Sequence, residues 1–394
     1  MISRNLRHFR VFLAVVDLRT PTAAAERCNV SQPAITQALA KLEREAGGAL
    51  FKRTRQGFFL SKRGAVMEAR LRRAMNRLDR ALSNVSPRLV VTATFAQLQS
   101  LIAMSEAQSY MLAARVLGLA QPTVHRAVSQ LEQEAARSLF ERTSFGLVAT
   151  RPCRDIAQAA RLAFAEFDQA DADLADFDGR EVGSIRIGAL PLSRAQVLPE
   201  ALARFRAVRP KQPITVIDGT FKEMLAGMRK GDIDFMIGAL RDPPPVEDVV
   251  QEPLFTDHLV VLARPDHELD RKARLTLEEL VQHPWAVPRP GTPTREQFDT
   301  LFERRGLAMP ESIVECGSIL LIRELLLKSD LLGCISGQQA QREIRNGTLV
   351  ELNTGIDWPG REIGLTYRTG WLPTKAQDTL LAQLREVAAE ITTQ

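Results

Sequence analysis

The chain reads as a multidomain protein: two α-helical winged helix-turn-helix copies in tandem, followed by an α/β domain of two lobes. Three observations carry this reading. The stretch QPAITQALAKLERE at Gln32–Glu45 returns in step as QPTVHRAVSQLEQE at Gln121–Glu134. The correspondence keeps an offset of 89 residues, the distance from Gln32 to Gln121, without a gap from Ala14 and Ala103 to Gly57 and Gly146. From Gly183 onward, short apolar runs alternate with helical segments, the pattern of βαβ units and a mostly parallel sheet.

The first elements follow from apolar spacing. Leu6, Phe9, Phe12, Leu13 and Val16 recur at helical intervals, and Ala24, Ala25 and Cys28 mark a second short helix. The turn NVSQP then opens a third. Val30 is an apolar plug, Ser31 suits the cap, and Pro33 suits the first turn, where its missing N–H costs nothing. Ile35, Leu39 and Leu42 face inward, which leaves Ala34, Thr36, Gln37 and Lys41 outward. Short polar side chains near a helix N-terminus suit base edges in a major groove, so Ser31, Gln32, Pro33, Ala34, Thr36, Gln37 and Lys41 are candidate DNA contacts.

Leu50 and Phe51 return to the core, Gly57 permits a tight turn, and FFL reads as a wing strand. Lys52, Arg53 and Arg55 flank that wing and fit phosphates, the contacts that hold such a module on duplex DNA. In the second copy the matching candidates are Gln121, Thr123, His125 and Arg126.

Charge separates the two copies. Between Lys52 and Arg80 stand ten cations against only Glu68 and Asp79. After the second copy Asp155, Glu166, Asp168, Asp171, Asp173, Asp176 and Asp178 outnumber the arginines. This acidic face argues against close passage along DNA, so copy one is expected to be the principal reader, and copy two either an auxiliary reader that extends the site or a retained scaffold.

The residues AAERCNVSQPAITQALAKLEREAGGALFKRT, with FFLSKRG after them, resemble the DNA-binding domain of LysR-type transcriptional regulators. Such proteins usually have one such domain, a long dimerising linker helix and an effector-binding domain. The departure here is the second copy, AARVLGLAQPTVHRAVSQLEQEAARSLFERTSFG, after which Pro152 and Cys153 replace Arg63 and Gly64. The expected organisation is copy one over 1–64, an arginine-rich linker helix over 65–88, copy two over 89–150, a dimerising helix over 151–178 and the two-lobed domain over 182–394. The resemblance makes the helix with the stripe Ile156, Ala160, Ala163, Phe164, Phe167, Ala170 and Leu174 the dimerising element, in a homodimer or homotetramer.

The last part resembles the periplasmic-binding-protein-like domain of the same family. Within it, VIDGTFKEMLAGMRKGDIDFMIGALRDPPP and PWAVPRPGTPTREQF are similar to the subgroup named after a galactose-binding-protein regulator. That resemblance implies a small-molecule effector, a sugar or a small aromatic or carboxylic acid. In open α/β sheets a ligand sits beyond the carboxyl ends of strands. The rule nominates Leu192 and Ser193, Gly219 and Thr220, Gly238 and Ala239, then Gly291, Thr292 and Thr294, and Gly317 and Ser318. Arg194, Arg289, Arg295 and Arg323 are the charge partners expected for a carboxylate.

Composition bounds the rest. A chain of 394 residues, 45% hydrophobic and 25% charged, is ordinary globular material. The run VFLAVV stops at Asp17, too short for a signal-peptide core, and no run approaches the roughly 18 apolar residues of a membrane span. A cytoplasmic protein with no membrane partner is expected. The net charge of +5 and pI of about 9.2 weakly favour nucleic acid.

Cys28, Cys153, Cys316 and Cys334 lack CxxC spacing, and the five histidines lack metal spacing, so neither metal nor cofactor is expected. Walker A, GxSxG and HExxH patterns are absent, which argues against an enzyme. An alternative keeps DNA binding but makes the trigger redox, through Cys316 and Cys334.

Overall fold

The computed structural model describes residues 2, 4–144 and 146–393. The chain divides into two compact units, Met1–Ser184 with Lys211–Pro213, and Ile185–Pro210 with Ile214–Gln394.

In the first unit, copy one comprises α1 (Leu6–Leu18), α2 (Pro21–Cys28), α3 (Gln32–Glu45) and a wing of β1 (Phe51–Thr54) and β2 (Gly57–Leu60). A long helix, α4 (Lys62–Ser83), and a short one, α5 (Pro87–Thr92), lead to copy two. Pro87 ends no more than the linker; as first residue of α5 it starts a helix that sequence reasoning did not anticipate. Copy two repeats the order as α6 (Phe95–Ala107), α7 (Tyr110–Leu117), α8 (Gln121–Ala135), β3 (Phe140–Thr143), β4 (Gly146–Ala149) and the long α9 (Arg151–Phe177).

The duplication reaches single hydrogen bonds. Thr20 caps α2 by accepting from Ala23 N, and Ser109, at the same offset, caps α7 by accepting from Leu112 N. Ser61 and Thr150 cap α4 and α9 in the same way. Glu43 Oε1 accepts from the amides of Leu50 and Phe51 at 3.0 and 3.4 Å, and Glu132 Oε1 accepts from those of Leu139 and Phe140 at 2.8 and 3.2 Å. Each recognition helix therefore holds the entry to its own wing. Ser31 departs from expectation: it occupies the cap position of α3, but its side chain makes no capping hydrogen bond. Copy two has Ala120 there, so in both copies the first turn relies instead on a proline, Pro33 or Pro122, that removes one orphan N–H.

Gly57 lies at φ +126, where a Cβ would stand 2.7 Å from Arg19 O. The turn and its approach to the end of α1 both require glycine.

The stripe on α9 does not wait for a second chain. Ile156, Ala160, Ala163, Phe167, Ala170 and Leu174 are buried in the core that the two copies share, and Phe164 stacks on Phe95 with centroids 4.1 Å apart. Within the chain, α9 packs along α4. Polar residues fix the pairing. Arg70, 1% exposed, donates through Nε to Asp173 at 2.8 Å and through Nη1 to Glu166 and Gln169 at 3.2 and 2.9 Å. Arg73 Nη2 reaches Glu166 at 2.9 Å, and Arg63 pairs with Asp178. Arg63 holds the Asp178 carboxyl below the usual carboxylate range. Arg63, Arg70 and Arg73 thus face carboxylates rather than phosphates, and the acidity of α9 is their complement.

The second unit has two five-stranded sheets. The first lobe contains β5 (Ile185–Ala189), α10 (Val197–Val208), β6 (Ile214–Ile217), α11 (Phe221–Lys230), β7 (Phe235–Ala239) and β8 (Val249–Asp257). The chain crosses to β9 (Leu259–Ala263), α12 (Leu277–Leu280), β10 (Trp285–Val287), α13 (Pro293–Arg304), β11 (Ile313–Glu315), α14 (Ile319–Lys328), β12 (Leu332–Ser336), α15 (Gly337–Arg345) and β13 (Val350–Glu351). It returns with β14 (Arg361–Arg368) and α16 (Lys375–Thr393), as the sequence implied.

The strand orders are β6-β5-β7-β14-β8 and β11-β10-β12-β9-β13. Neither sheet is mostly parallel: β5 runs parallel to β6 and β7, but β14 opposes both β7 and β8, and β9 opposes β12 and β13. The crossing strands enter each lobe from its neighbour and so run against the local βαβ direction. Among the described residues no helix is long and apolar enough to cross a membrane.

Candidate nucleic-acid interface and effector cleft

On α3, Ile35, Ala38, Leu39 and Leu42 are buried, which turns Gln32, Pro33, Thr36 and Gln37 outward. Ser31 is exposed beside them, while Ala34 and Lys41 are half-buried. Thr36 Oγ1 donates back to Gln32 O at 3.2 Å, leaving its lone pairs and methyl outward. Lys52, Arg53 and Arg55 are all exposed on the wing, with Arg53 over the Phe58 ring, 5.4 Å from its centroid. The structure brings together what the sequence nominated for copy one: an exposed polar helix face and a cationic hairpin joined through Glu43.

Copy two repeats the geometry with different chemistry. Val124, Val128 and Leu131 are buried, and Gln121, Thr123, His125 and Arg126 are exposed. His125 rests against Tyr110 with ring centroids 5.0 Å apart. Its wing has Glu141 and Ser144 where copy one has Lys52 and Arg55.

In the second unit, four of the five nominated hydroxyls serve their own backbone. Thr220 forms a capping box with Glu223 on α11, Thr292 caps α13, Ser318 caps α14, and the buried Ser193 donates to Leu190 O at 2.8 Å. Leu192 and Gly238 are buried, while Gly219, Gly291 and Gly317 are exposed. Most of the proposed charge partners are engaged: Arg194 with Asp218, Arg295 with Asp299 and Glu315, Arg323 with Glu343. Arg289 lies against Gly317.

A cleft of about 1730 Å³ does open between the lobes, and its walls are largely other residues. Of the nominated set only Ala239 borders it; Arg241, Gln251, Glu296 and Arg361 contribute its polar lining. Thr294 touches it indirectly, because its hydroxyl accepts from Arg361. Arg361 also pairs with Asp257, and Asp257 accepts from Ser336 Oγ at 2.7 Å and Gln338 N at 3.3 Å. This cluster ties β8 and β14 of one lobe to α13, β12 and α15 of the other. Arg361 Nε is buried without a hydrogen-bond partner. Sequence reasoning missed the cluster because its members lie 67 to 104 residues apart, without a shared motif.

The redox alternative meets buried sulfur. Burial pushes the Cys334 thiol up to about 12, and Cys316 is buried with Ser318 N donating to its Sγ. A thiol that ionises only at such a pKa is a poor nucleophile at neutral pH. Burial drives Cys153 to about 12 as well. In the native protein, iodoacetamide at about pH 8 is expected to leave Cys153 and Cys334 unmodified, with both alkylated only after unfolding, as mapped by peptide mass spectrometry. Rapid native labelling of Cys334 would restore the redox reading.

Comparisons with known proteins agree with this geometry. The bacterial regulatory helix-turn-helix model of the lysR family matches twice, over residues 6–65 and 95–154, and the LysR substrate binding domain matches residues 178–389. The HTH-type transcriptional regulator GalR of Pseudomonas putida is 35% identical over 394 residues, covering 98% of each chain. A full-length OxyR from Pseudomonas aeruginosa superposes with a TM-score of 0.53 at 20% identity, covering 74% of this chain and 94% of that one. The LysR family regulator CbnR gives 0.50 at 19%, covering 75% and 99%. These structural likenesses speak to the fold alone. The chain belongs to the LysR family of DNA-binding, effector-responsive transcriptional regulators, with its DNA-binding module present twice.

Proposed function

We propose that a small polar or anionic metabolite, of the sugar or aromatic-acid class, binds between the lobes of the second unit and alters how the recognition helix of copy one engages its operator. The observation that carries this reading is the cleft itself, which spans both lobes and has in its wall the deeply buried Arg361, whose Nε lacks a partner. A ligand shifts such a protein only through its differential affinity for two arrangements. Closure of two lobes about the Asp257–Arg361 cluster supplies a second arrangement. The role is regulatory rather than catalytic, since the cleft holds cations and carboxylates but no nucleophile paired with a base.

Copy one is the stronger reader. Its wing cations Lys52, Arg53 and Arg55 supply phosphate contacts that copy two has partly lost. The test is binding to the DNA upstream of this protein's own gene, across salt concentrations. Thr36→Ala with Gln37→Ala is expected to reduce specific binding by about tenfold or more, leaving nonspecific binding in place. Lys52→Ala with Arg55→Ala is expected to weaken both and flatten the salt slope by about two. Wild-type protein with no salt-sensitive binding would end the reading. Titration with sugars and small aromatic acids, read by melting temperature and DNA affinity together, then identifies the effector class.

A further inference from the structure

We propose that one chain is by itself a paired reader of DNA: α4 and α9 meet as the helices of two subunits meet across a two-fold axis, and both helix-turn-helix modules of the same chain engage one two-part operator, copy one strongly and copy two weakly. The proposal rests on the DNA-binding reading above and adds the arrangement.

The pairing is antiparallel. Arg63 meets Asp178, Arg70 meets Asp173 and Glu166, and Arg73 meets Glu166, so numbers rise along α4 as they fall along α9. Carried two residues beyond Arg73 and Glu166, this register sets Met75 opposite Phe164. Phe164 is the duplicate of Met75, 89 residues later. A position that faces its own duplicate marks a two-fold axis, as in an interface where residue i meets j and j meets i. Since the two modules share fold, caps and wing tethers, that axis relates them as subunits of a dimer are related. Two exposed recognition helices so related suit half-sites about one helical turn apart.

Charge makes the pairing heterotypic. The arginines lie on α4 and the carboxylates on α9, so pairing α4 with a second α4 would bring arginine against arginine. The seat a second subunit would take is filled from within the chain.

The two readers are unequal. Glu141 and Ser144 replace the wing's Lys52 and Arg55. On α7, the helix that crosses the backbone in such modules, Met111 and Val116 are 58% and 76% exposed where copy one has Thr22 and Arg27. Copy two keeps base-reading side chains while losing partners for phosphate.

The full chain, selecting sites from a random duplex pool, tests this, followed by hydroxyl-radical footprinting and native mass spectrometry of the complex. Two protected patches about 10 base pairs apart are expected, with one chain per pair of patches. His125→Ala with Arg126→Ala should abolish protection of one patch and weaken binding about tenfold, whereas Thr36→Ala with Gln37→Ala should abolish selection of the site. All four side chains are exposed, so unchanged melting temperatures separate reading from folding. A footprint indifferent to His125 and Arg126, or two chains per pair of patches, overturns the proposal while leaving DNA binding intact. A wild-type chain that selects no site removes the DNA-binding reading itself, and this inference with it.

Discussion

Replacing Arg70 with alanine is expected to destabilise the first unit by about 3–5 kcal/mol, the largest stability effect of any single polar substitution proposed for this chain. The guanidinium is 1% exposed and serves Asp173, Glu166 and Gln169 together. Its removal takes the Nε donor from Asp173 and leaves Glu166 with Arg73 and without its second guanidinium, and the weakened pairing of these shielded carboxylates, with the cavity left behind, is the source of the effect. At about 2–4 °C per kcal/mol for a unit of this size, the corresponding thermal transition should fall by roughly 10 °C. The contrast is Arg88→Ala, whose pair with Glu134 is 75% exposed on the arginine side and should change stability by less than about 1 kcal/mol. Replacing Arg70, Glu166 and Asp173 together by apolar residues should recover most of the loss. An Arg70→Ala shift as small as that of Arg88→Ala would mean that the α4–α9 contact is held by its apolar stripe alone.

The second large effect lies in the other unit. Arg361→Ala should cost about 3 kcal/mol, near the lower end for a broken buried pair, because Ser336 Oγ and Gln338 N continue to donate to Asp257. Arg361→Lys should recover little. A single ammonium cannot serve Asp257 and the Thr294 hydroxyl with the fixed fork that guanidinium provides. Urea unfolding of the second unit measures the loss, and DNA binding measures its consequence: effector-free binding retained, effector response lost. Both functions surviving Arg361→Ala would dissociate the Asp257 cluster from signalling.

What the sequence reveals here depends on how local the information is. The turn NVSQP, the stripe Ile35, Leu39 and Leu42, and the wing after Phe51 are encoded within a few residues of each other, and the structure places them as read except that the Ser31 hydroxyl does not cap. Glu43 and Glu132 occupy the same place in LERE and LEQE, but their hold on the wing amides emerges only from the structure. The arginines of α4 and the acids of α9 were visible as charge, but not as partners, because about 100 residues separate them. Read one helix at a time, each looked like a statement about DNA. Helix α15 escaped notice for another reason: its sequence GQQAQREIR is almost wholly polar, and it buries only Ala340 and Glu343. The Ser and Thr residues chosen for the effector site were read for their hydroxyls, yet caps consume hydroxyls first.

In a homodimer every substitution is written twice, so a change in base preference alters both halves of the operator at once. On the paired reading proposed above, the tandem arrangement of α3 and α8 lifts that constraint within each chain. Thr36 and Gln37 have their counterparts in His125 and Arg126, and each pair is free to drift alone. With both copies reading as proposed, a lineage carrying this architecture acquires non-palindromic targets one half at a time, keeping the old half as an anchor while the new one is sampled. Regulators of this form should therefore differ from one another most in the recognition residues of a single copy.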